Sequence, residues 1–152
     1  MSVLWYRVPL ILAAACVLFA CSSPTQSVTF KPPAGWEASP SLFGFQAWHP
    51  SDNKQTLVLF RFPVAANVNQ ALSQSNFRQF NANTRQRIKI CGNQPAVFLS
   101  GTGTGSQGDQ NVEMIITTVK GATYMAIYAR DRGLHPNSQA ETAIRSLCPK
   151  PS

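Results

Sequence analysis

The fold is decided by residues 111–130, NVEMIITTVKGATYMAIYAR. The two halves of this stretch, residues 111–120 and 122–130, are rich in β-branched and aromatic residues, which favour strands. Gly121 between them supplies the conformational freedom that a tight turn needs. The stretch therefore predicts two antiparallel strands joined as a hairpin.

Further strands are predicted towards the N-terminus, in segments that are apolar, branched or aromatic: residues 43–48, 56–62, 84–90 and 95–100. The run TLVLFRF at residues 56–62 is closed by Pro63, as in a mostly buried strand. The turn sequence CGNQ at residues 91–94 separates two of the segments, which predicts another hairpin.

Two helices are predicted among these strands. Asn67 can cap a helix over residues 68–80. Ser138 and Glu141 form a capping box for a final helix, which ends before Cys148. Hairpin strands with two helices predict an α+β fold, in which a mostly antiparallel β-sheet is flanked by two helices.

Length and composition suit one compact domain. The chain has 152 residues, of which 44% are hydrophobic and 12% charged, and this leaves too little length for two ordinary domains. Lys and Arg outnumber Asp and Glu by 13 to 6, for a net charge of +7. The low charged fraction excludes a highly charged disordered chain, and four cysteines are too few for a disulfide-dense miniprotein.

The N-terminal residues are expected to be a targeting segment. Residues 8–20, VPLILAAACVLFA, carry no charge. This run is shorter than a membrane-spanning helix, which needs about 20 residues, and its length suits the core of a secretory signal. We expect a signal peptide at residues 1–20, a flexible tether at residues 21–27 and a single α+β domain at residues 28–152. Ordinary cleavage after a small residue and an uncleaved N-terminal anchor are the alternatives.

The residues Leu18-Phe19-Ala20-Cys21 resemble the lipobox of bacterial lipoproteins. In that family, cleavage before the cysteine exposes an N-terminus that carries a diacylglycerol and an amide-linked acyl chain such as palmitate. The resemblance implies that Cys21 is lipidated and holds the chain on a membrane of the cell envelope. Ser22 follows the cysteine, which by the family's sorting rule implies the outer membrane, with the domain facing the periplasm.

Cysteine use fits an exported protein. Cys16 leaves with the signal and Cys21 takes the lipid, so that the mature domain keeps Cys91 and Cys148. In an oxidising compartment, two remaining thiols predict a disulfide. Two free buried thiols and a redox pair are the alternatives, although the chain has no Cys-x-x-Cys motif.

The pattern F-x-P-P-x-G-W at residues 30–36 precedes hairpin strands, a helix, a long antiparallel meander and a C-terminal helix. This order resembles the PsbP-like/DcrB-like α/β sandwich found in bacterial envelope lipoproteins, over about residues 28–148. The resemblance implies a sandwich fold and an envelope location. It supplies no catalytic residue set, because the family has no common one to map onto this chain.

One predicted strand carries three basic residues, Arg85, Arg87 and Lys89, on a single face. Arginine suits bidentate recognition of phosphate or carboxylate groups, and Arg61 and Arg78 are further candidates. An exported protein is not expected to meet nucleic acid, so the expected partners are an anionic envelope polymer, a lipid headgroup or an envelope protein. The alternative is a solvated strand face that protects the sheet from aggregation.

Other sites are not indicated by the sequence. Residues 103–108 match G-x-G-x-x-G, but a strand follows them where that fingerprint requires a helix, so residues 101–108 predict a hairpin loop. No G-x-S-x-G elbow, H-E-x-x-H or EF-hand spacing occurs. We therefore expect no metal, no cofactor and no catalytic residue, and we expect that the chain is not an enzyme.

Aromatic side chains allow two functional interpretations, because they either fill the core or line a pocket. They are Trp36, Phe43, Phe45, Trp48, Tyr124 and Tyr128. A filled core favours a non-catalytic binding or interaction module, which is the function we expect. The alternative is a periplasmic small-ligand carrier or hydrolase with a cleft between sheet and helix.

Overall fold

The computed structural model describes residues 24–41, 44–64, 66–74, 79–105 and 108–150, which form the following elements. The strands are β1 Val28–Thr29, β2 Glu37–Ala38, β3 Phe45–His49, β4 Gln55–Phe62, β5 Asn81–Ile90, β6 Gln94–Gly105, β7 Gly108–Val119, β8 Ala122–Asp131 and β9 Cys148–Pro149. The helices are α1 Val68–Gln74 and α2 Ser138–Arg145, and Pro24–Ser27 form a 3-10 turn within the segment predicted as a tether. The predicted signal peptide and Cys21 lie outside the described residues.

Seven of the described strands form one antiparallel sheet in the order β2-β3-β4-β8-β7-β6-β5, and β1 pairs with β9 apart from it. The strand at the centre of this sheet, β8, is buried along almost its whole length. The last strand in the order, β5, is an edge strand and is mostly exposed. The predicted fold class is confirmed: a mostly antiparallel sheet with two helices among the described residues.

The hairpin predicted at residues 111–130 lies at the centre of the sheet. Strands β7 and β8 pair from Gln110 with Asp131 to Val119 with Ala122. Their turn is made by Lys120 at φ 47° and Gly121 at φ 78°. Two consecutive residues with positive φ match the twist of the flanking strands and connect them tightly.

Helix α2 covers one face of the sheet, and Ala140, Ala143 and Ile144 bury its apolar side there. Its N-cap is Asn137, whose Oδ1 accepts hydrogen bonds from the backbone N–H of residues 139 and 140, at 2.9 and 3.2 Å. The predicted cap, Ser138, is wrong by one position. Asn137 has extended backbone angles and Ser138 is the first helical residue, so the asparagine oxygen is the acceptor that reaches the free N–H groups.

Helix α1 covers part of the opposite face. Asn67 caps it as predicted, because its Oδ1 accepts from the N–H of Gln70 at 2.9 Å. Among the described residues the helix covers Val68–Gln74; residues 79 and 80, which were predicted as its end, are not helical, and the chain pairs with β6 from Asn81 onward. Residues 75–78 lie outside the described residues. No helix in the described part of the chain is long and apolar enough to span a membrane.

The glycine-rich segment is a strand over most of the residues predicted as a loop. β6 continues through residues 101–105 and pairs with β7 as far as Gly105 opposite Gly108. Pairing with β5 on one side and β7 on the other outweighs the weak strand propensity of glycine. At Gly101 the two strands leave no room for a side chain, because a Cβ placed there would overlap the carbonyl of Asn81.

The predicted Cys91–Cys148 disulfide is present, with the two Cα atoms 5.4 Å apart. It joins the turn after β5 to the segment that follows α2. The same segment forms β9, and Lys150 donates a backbone hydrogen bond to the carbonyl of Ser27 at 2.9 Å. The N-terminal and C-terminal parts of the domain are thus held together at one end of the sheet.

Candidate functional site

The predicted basic residues lie on the face of the sheet that α1 covers in part. Arg87 is paired across the strands with Val97, and Val97 is paired in turn with Ile116, which is packed in the α1-side core. Cross-strand partners share a face, so the side chain of Arg87 points to the α1 side. Arg85 and Lys89 are two residues away on either side and share that face. All three are exposed.

A groove of about 570 Å³ runs between this edge of the sheet and the start of α1. We call it the basic groove, and its lining includes Ala66, Asn67, Arg85, Arg87, Val97 and Ile116. The two arginines line the side at β5, and Ala66 and Asn67 before α1 form the opposite wall. The floor between them includes the apolar Val97 and Ile116 and, beside these, the polar Gln94, Thr117 and Thr118. The arrangement combines positive charge with apolar surface in one concave site.

The wall of the basic groove is fastened to the sheet by two threonines. Thr123, which is fully buried, accepts a hydrogen bond from the N–H of Ala66 at 2.9 Å and donates one to the carbonyl of Val64 at 3.0 Å. Thr118 donates to the carbonyl of Ala66 at 3.3 Å. These contacts fix the distance between the start of α1 and the basic edge.

The positive charge of the basic groove is not neutralised by acidic groups of the described residues. Among the described residues, the ion pairs join Arg130 to Glu113 at 2.9 Å and Arg132 to Asp109 at 3.3 Å, and none of these four residues lines the basic groove. Lys89 differs from its two neighbours because its Nζ donates to Asn93 at 3.0 Å, and it does not line the groove. Arg85 and Arg87 are therefore available to bind an anion.

Arg61 does not join the basic residues of β5. It is paired with Tyr124, and its guanidinium carbon lies 6.0 Å from the centre of that ring, on the α2 face. The expectation that Arg61 adds to the anion site is wrong, because the sheet separates it from Arg85 and Arg87. Arg78, the other added candidate, lies outside the described residues.

Most of the aromatic residues considered for a pocket fill the core. Trp48 is 6% exposed, Tyr124 5% and Tyr128 0%, and they pack within the α2-side core. Trp36 packs against the same core, whereas Phe45 packs edge-on against Phe60 on the other face. Phe43 lies outside the described residues.

A buried polar cluster near the start of α2 was not foreseen from the sequence. The hydroxyl of Tyr128 donates to Gln55 at 2.6 Å and accepts from the backbone N–H of Asn137 at 3.0 Å, while Arg130 pairs with Glu113 beside it. Burial raises the pKa of Tyr128 above its ordinary value of 10.0. The signal that could have found part of this cluster is the predicted hairpin of residues 111–130. If its two strands are paired outward from the turn at Lys120 and Gly121, Glu113 falls opposite Tyr128.

The cluster links strands and helix rather than forming an open site. Its phenol contacts β4 and the cap of α2, and its ion pair joins β7 to β8. Arg130 and Glu113 side chains are only 11% and 14% exposed, so a dissolved ligand has little access to them. Among the described residues, no group of three His, Cys, Asp or Glu side chains is placed to hold a metal ion.

Comparisons with known proteins bear on the fold. No protein-family model and no curated protein matches the chain. Among solved structures, the cyanobacterial PsbP protein CyanoP of Synechocystis sp. PCC 6803 is similar, with a TM-score of 0.60 and 12% identity, over 86% of this chain and 91% of that one. LpqN of Mycobacterium tuberculosis, described as involved in cell envelope biogenesis, has a TM-score of 0.51 and 16% identity, over 80% and 83%.

A protein of Bacteroides thetaiotaomicron is also similar, with a TM-score of 0.59 and 15% identity, over 85% of this chain. The match covers 47% of that protein, so this chain spans about half of its length. At these identities the likeness concerns the fold alone. The expected PsbP-like sandwich is confirmed as the fold of the described residues.

Proposed function

We propose that the chain is a lipid-anchored protein of the bacterial cell envelope whose domain binds an anionic envelope component and catalyses no reaction. One observation carries the binding part of the proposal: Arg85 and Arg87 border a groove and have no acidic partner among the described residues. Two arginines on one face can each offer a planar fork of donors to phosphate or carboxylate oxygens. The partner is thus a polymer, headgroup or protein that presents such groups.

The envelope location is supported by three independent features. Leu18-Phe19-Ala20-Cys21 resembles a lipobox, and Ser22 favours the outer membrane by the sorting rule of that family. The Cys91–Cys148 disulfide suits an oxidising compartment. LpqN, whose fold is similar, is described as involved in cell envelope biogenesis. We therefore place the domain on the periplasmic side, held there by the lipid on Cys21.

The alternative function, a periplasmic small-ligand carrier or hydrolase with a cleft between sheet and helix, requires open space beside the central aromatic residues. Trp48, Tyr124 and Tyr128 are instead packed among the side chains of α2 and the sheet. A groove of about 320 Å³ between Lys31 and α2 has none of these three aromatic residues in its lining, and the larger groove, which carries the two arginines, lies on the other face, at β5. The geometry favours the binding module.

Sedimentation with lipid vesicles tests the binding proposal. The full-length protein is held in phosphatidylcholine nanodiscs and mixed with sucrose-loaded vesicles, made either of phosphatidylcholine or with added phosphatidylglycerol. At physiological salt we expect the wild type to sediment with the anionic vesicles only, and the Arg85→Gln/Arg87→Gln variant to remain in solution.

The control is Lys31→Gln/Lys54→Gln, which removes the same charge from exposed positions outside the basic groove. This variant should sediment like the wild type. If both double variants lost sedimentation with the anionic vesicles to the same extent, binding would depend on net charge alone. That result would overturn the assignment of the site to Arg85 and Arg87.

A further inference from the structure

We infer that the basic groove binds a phosphate ester carrying one alkyl chain, with the phosphate between Arg85 and Arg87 and the chain along the apolar floor. This inference rests on the proposed function, which itself requires only that an anion binds. It adds the chemical class of the ligand. Three properties of the groove support it: its paired arginines, its apolar floor and its fixed wall.

The paired arginines suit a phosphate group. Arg85 and Arg87 are two positions apart on one strand, so their Cα atoms are about 6.5 Å apart and both side chains rise from the same face. A phosphate monoester has three terminal oxygens and accepts hydrogen bonds from two guanidinium groups at once. A carboxylate has two oxygens and a single negative charge, whereas a phosphate monoester has three terminal oxygens and a charge of about −1.5 to −2, so two arginines bind the phosphate more strongly.

The floor suits an alkyl chain. Val97, which is half-buried, lies directly between Arg87 and Ile116 in the cross-strand row, and Ile116 is 3% exposed. An apolar strip, which is mainly the accessible surface of Val97, therefore leads from Arg87 towards the α1-side core, beside the polar lining residues Gln94, Thr117 and Thr118. A free phosphate ion would contact none of this strip, whereas methylene groups attached to the phosphate would cover it and leave water.

The size and the wall suit a single chain. At about 570 Å³, the basic groove falls within the range of about 300–1,000 Å³ found for small-molecule sites. Its wall at Ala66 is fixed to the sheet through Thr118 and Thr123, so that the groove is largely formed before a ligand enters. These limits favour one alkyl chain over the two of an intact phospholipid.

Calorimetric titration with short, water-soluble probes tests the inference. The full-length protein in phosphatidylcholine nanodiscs is titrated with octyl phosphate, inorganic phosphate, octanoate and octyl glucoside, and empty nanodiscs supply the blank. We expect octyl phosphate to bind about tenfold more tightly than inorganic phosphate, since several methylenes leave water. Octanoate should bind more weakly than octyl phosphate, and octyl glucoside should show no binding above the blank.

Three variants locate the site. Arg87→Gln should weaken octyl phosphate binding about tenfold, as expected for loss of a charge-assisted hydrogen bond, whereas Lys89→Gln, on the same strand and face but outside the groove, should not. Val97→Thr places a hydroxyl on the floor and should weaken octyl phosphate but leave inorganic phosphate unchanged. Near-ultraviolet circular dichroism checks that Val97→Thr is folded. The comparison of the four probes on the wild type does not depend on this variant.

The results separate the proposed anion binding from the inference that the ligand is an alkyl phosphate. Equal affinity for octyl phosphate and inorganic phosphate, both lost in Arg87→Gln, would overturn the alkyl-chain inference and leave the proposed anion binding intact. Stronger binding of octanoate than of octyl phosphate would overturn the phosphate assignment. Absence of binding by every anion would overturn the proposed function together with the inference.

Discussion

Gly101 is the residue at which the close contact between β5 and β6 depends on the absence of a side chain. We predict that Gly101→Ala lowers the free energy of unfolding by about 1–3 kcal/mol, because its Cβ forces the backbone at Asn81 to move. Gly103→Ala is the matched control in the same strand, since a Cβ there meets Val112 at 3.5 Å, an ordinary contact. Urea unfolding of both variants measures the difference, and equal stability would contradict it.

Individual residues could be assigned from the sequence where the signal is local. The alternation around Arg85 and Arg87 sufficed to put both on one exposed face, and Asn67 was identified as a cap. The cap of α2 was misplaced by one residue because Asn137 and Ser138 are both good capping residues, and only the backbone angles distinguish them. The contacts of Tyr128 with Gln55 join residues 73 positions apart, and local patterns carry no information on such pairs.

Strands and helices were predicted best where hydrophobic periodicity is strong. β4, β7 and β8 follow the branched and aromatic runs closely. The glycine-rich half of β6 was predicted as a loop, because its strand conformation comes from hydrogen bonding to β5 and β7 rather than from its own residues. The predicted end of α1 at residue 80 is wrong, because residues 79 and 80 are not helical and lead directly into β5, which begins at Asn81.

The Cys91–Cys148 disulfide connects elements that are 57 positions apart in the sequence. We predict that replacing either cysteine by Ser lowers the melting temperature by several degrees, because a native disulfide in a small secreted domain contributes about 2–5 kcal/mol. The double variant should lose about as much as either single variant, since both act through one bond. Thermal unfolding monitored by circular dichroism measures these losses.

Reduction provides the control for the disulfide. A reducing agent should lower the melting temperature of the wild type towards that of Cys91→Ser/Cys148→Ser and leave the double variant unchanged. Two free thiols at residues 91 and 148, detected by mass spectrometry of the non-reduced protein, would contradict the bond.

The molecule as a whole has two unequal faces. The α2 face has a core that includes Trp48, Tyr124 and Tyr128, whereas the α1 face carries the basic groove at the edge strand. The sequence predicted the charged strand but not the groove, because the wall depends on Thr123 contacting residues 57 and 59 positions away. The sequence also suggested Arg61 as an addition to the anion site, because alternation within one strand does not tell which of its faces is shared with a given face of another strand.

The proposed lipid on Cys21 would hold this domain at an envelope membrane. That location would bring the basic groove close to anionic headgroups and envelope polymers. Cys21 is one of two cysteines near the N-terminus, and Cys16 precedes it within the predicted signal. The two positions therefore offer a matched pair of substitutions.

Cells that produce the full-length chain and are fed a labelled fatty acid provide the most direct measurement. We predict that the wild type and Cys16→Ser incorporate the label, and that Cys21→Ser does not and accumulates as the larger precursor. Mass spectrometry of the purified wild type should find the acyl groups on an N-terminal Cys21. Equal labelling of Cys21→Ser and the wild type, or an unmodified Cys21 in the mature protein, would contradict the account.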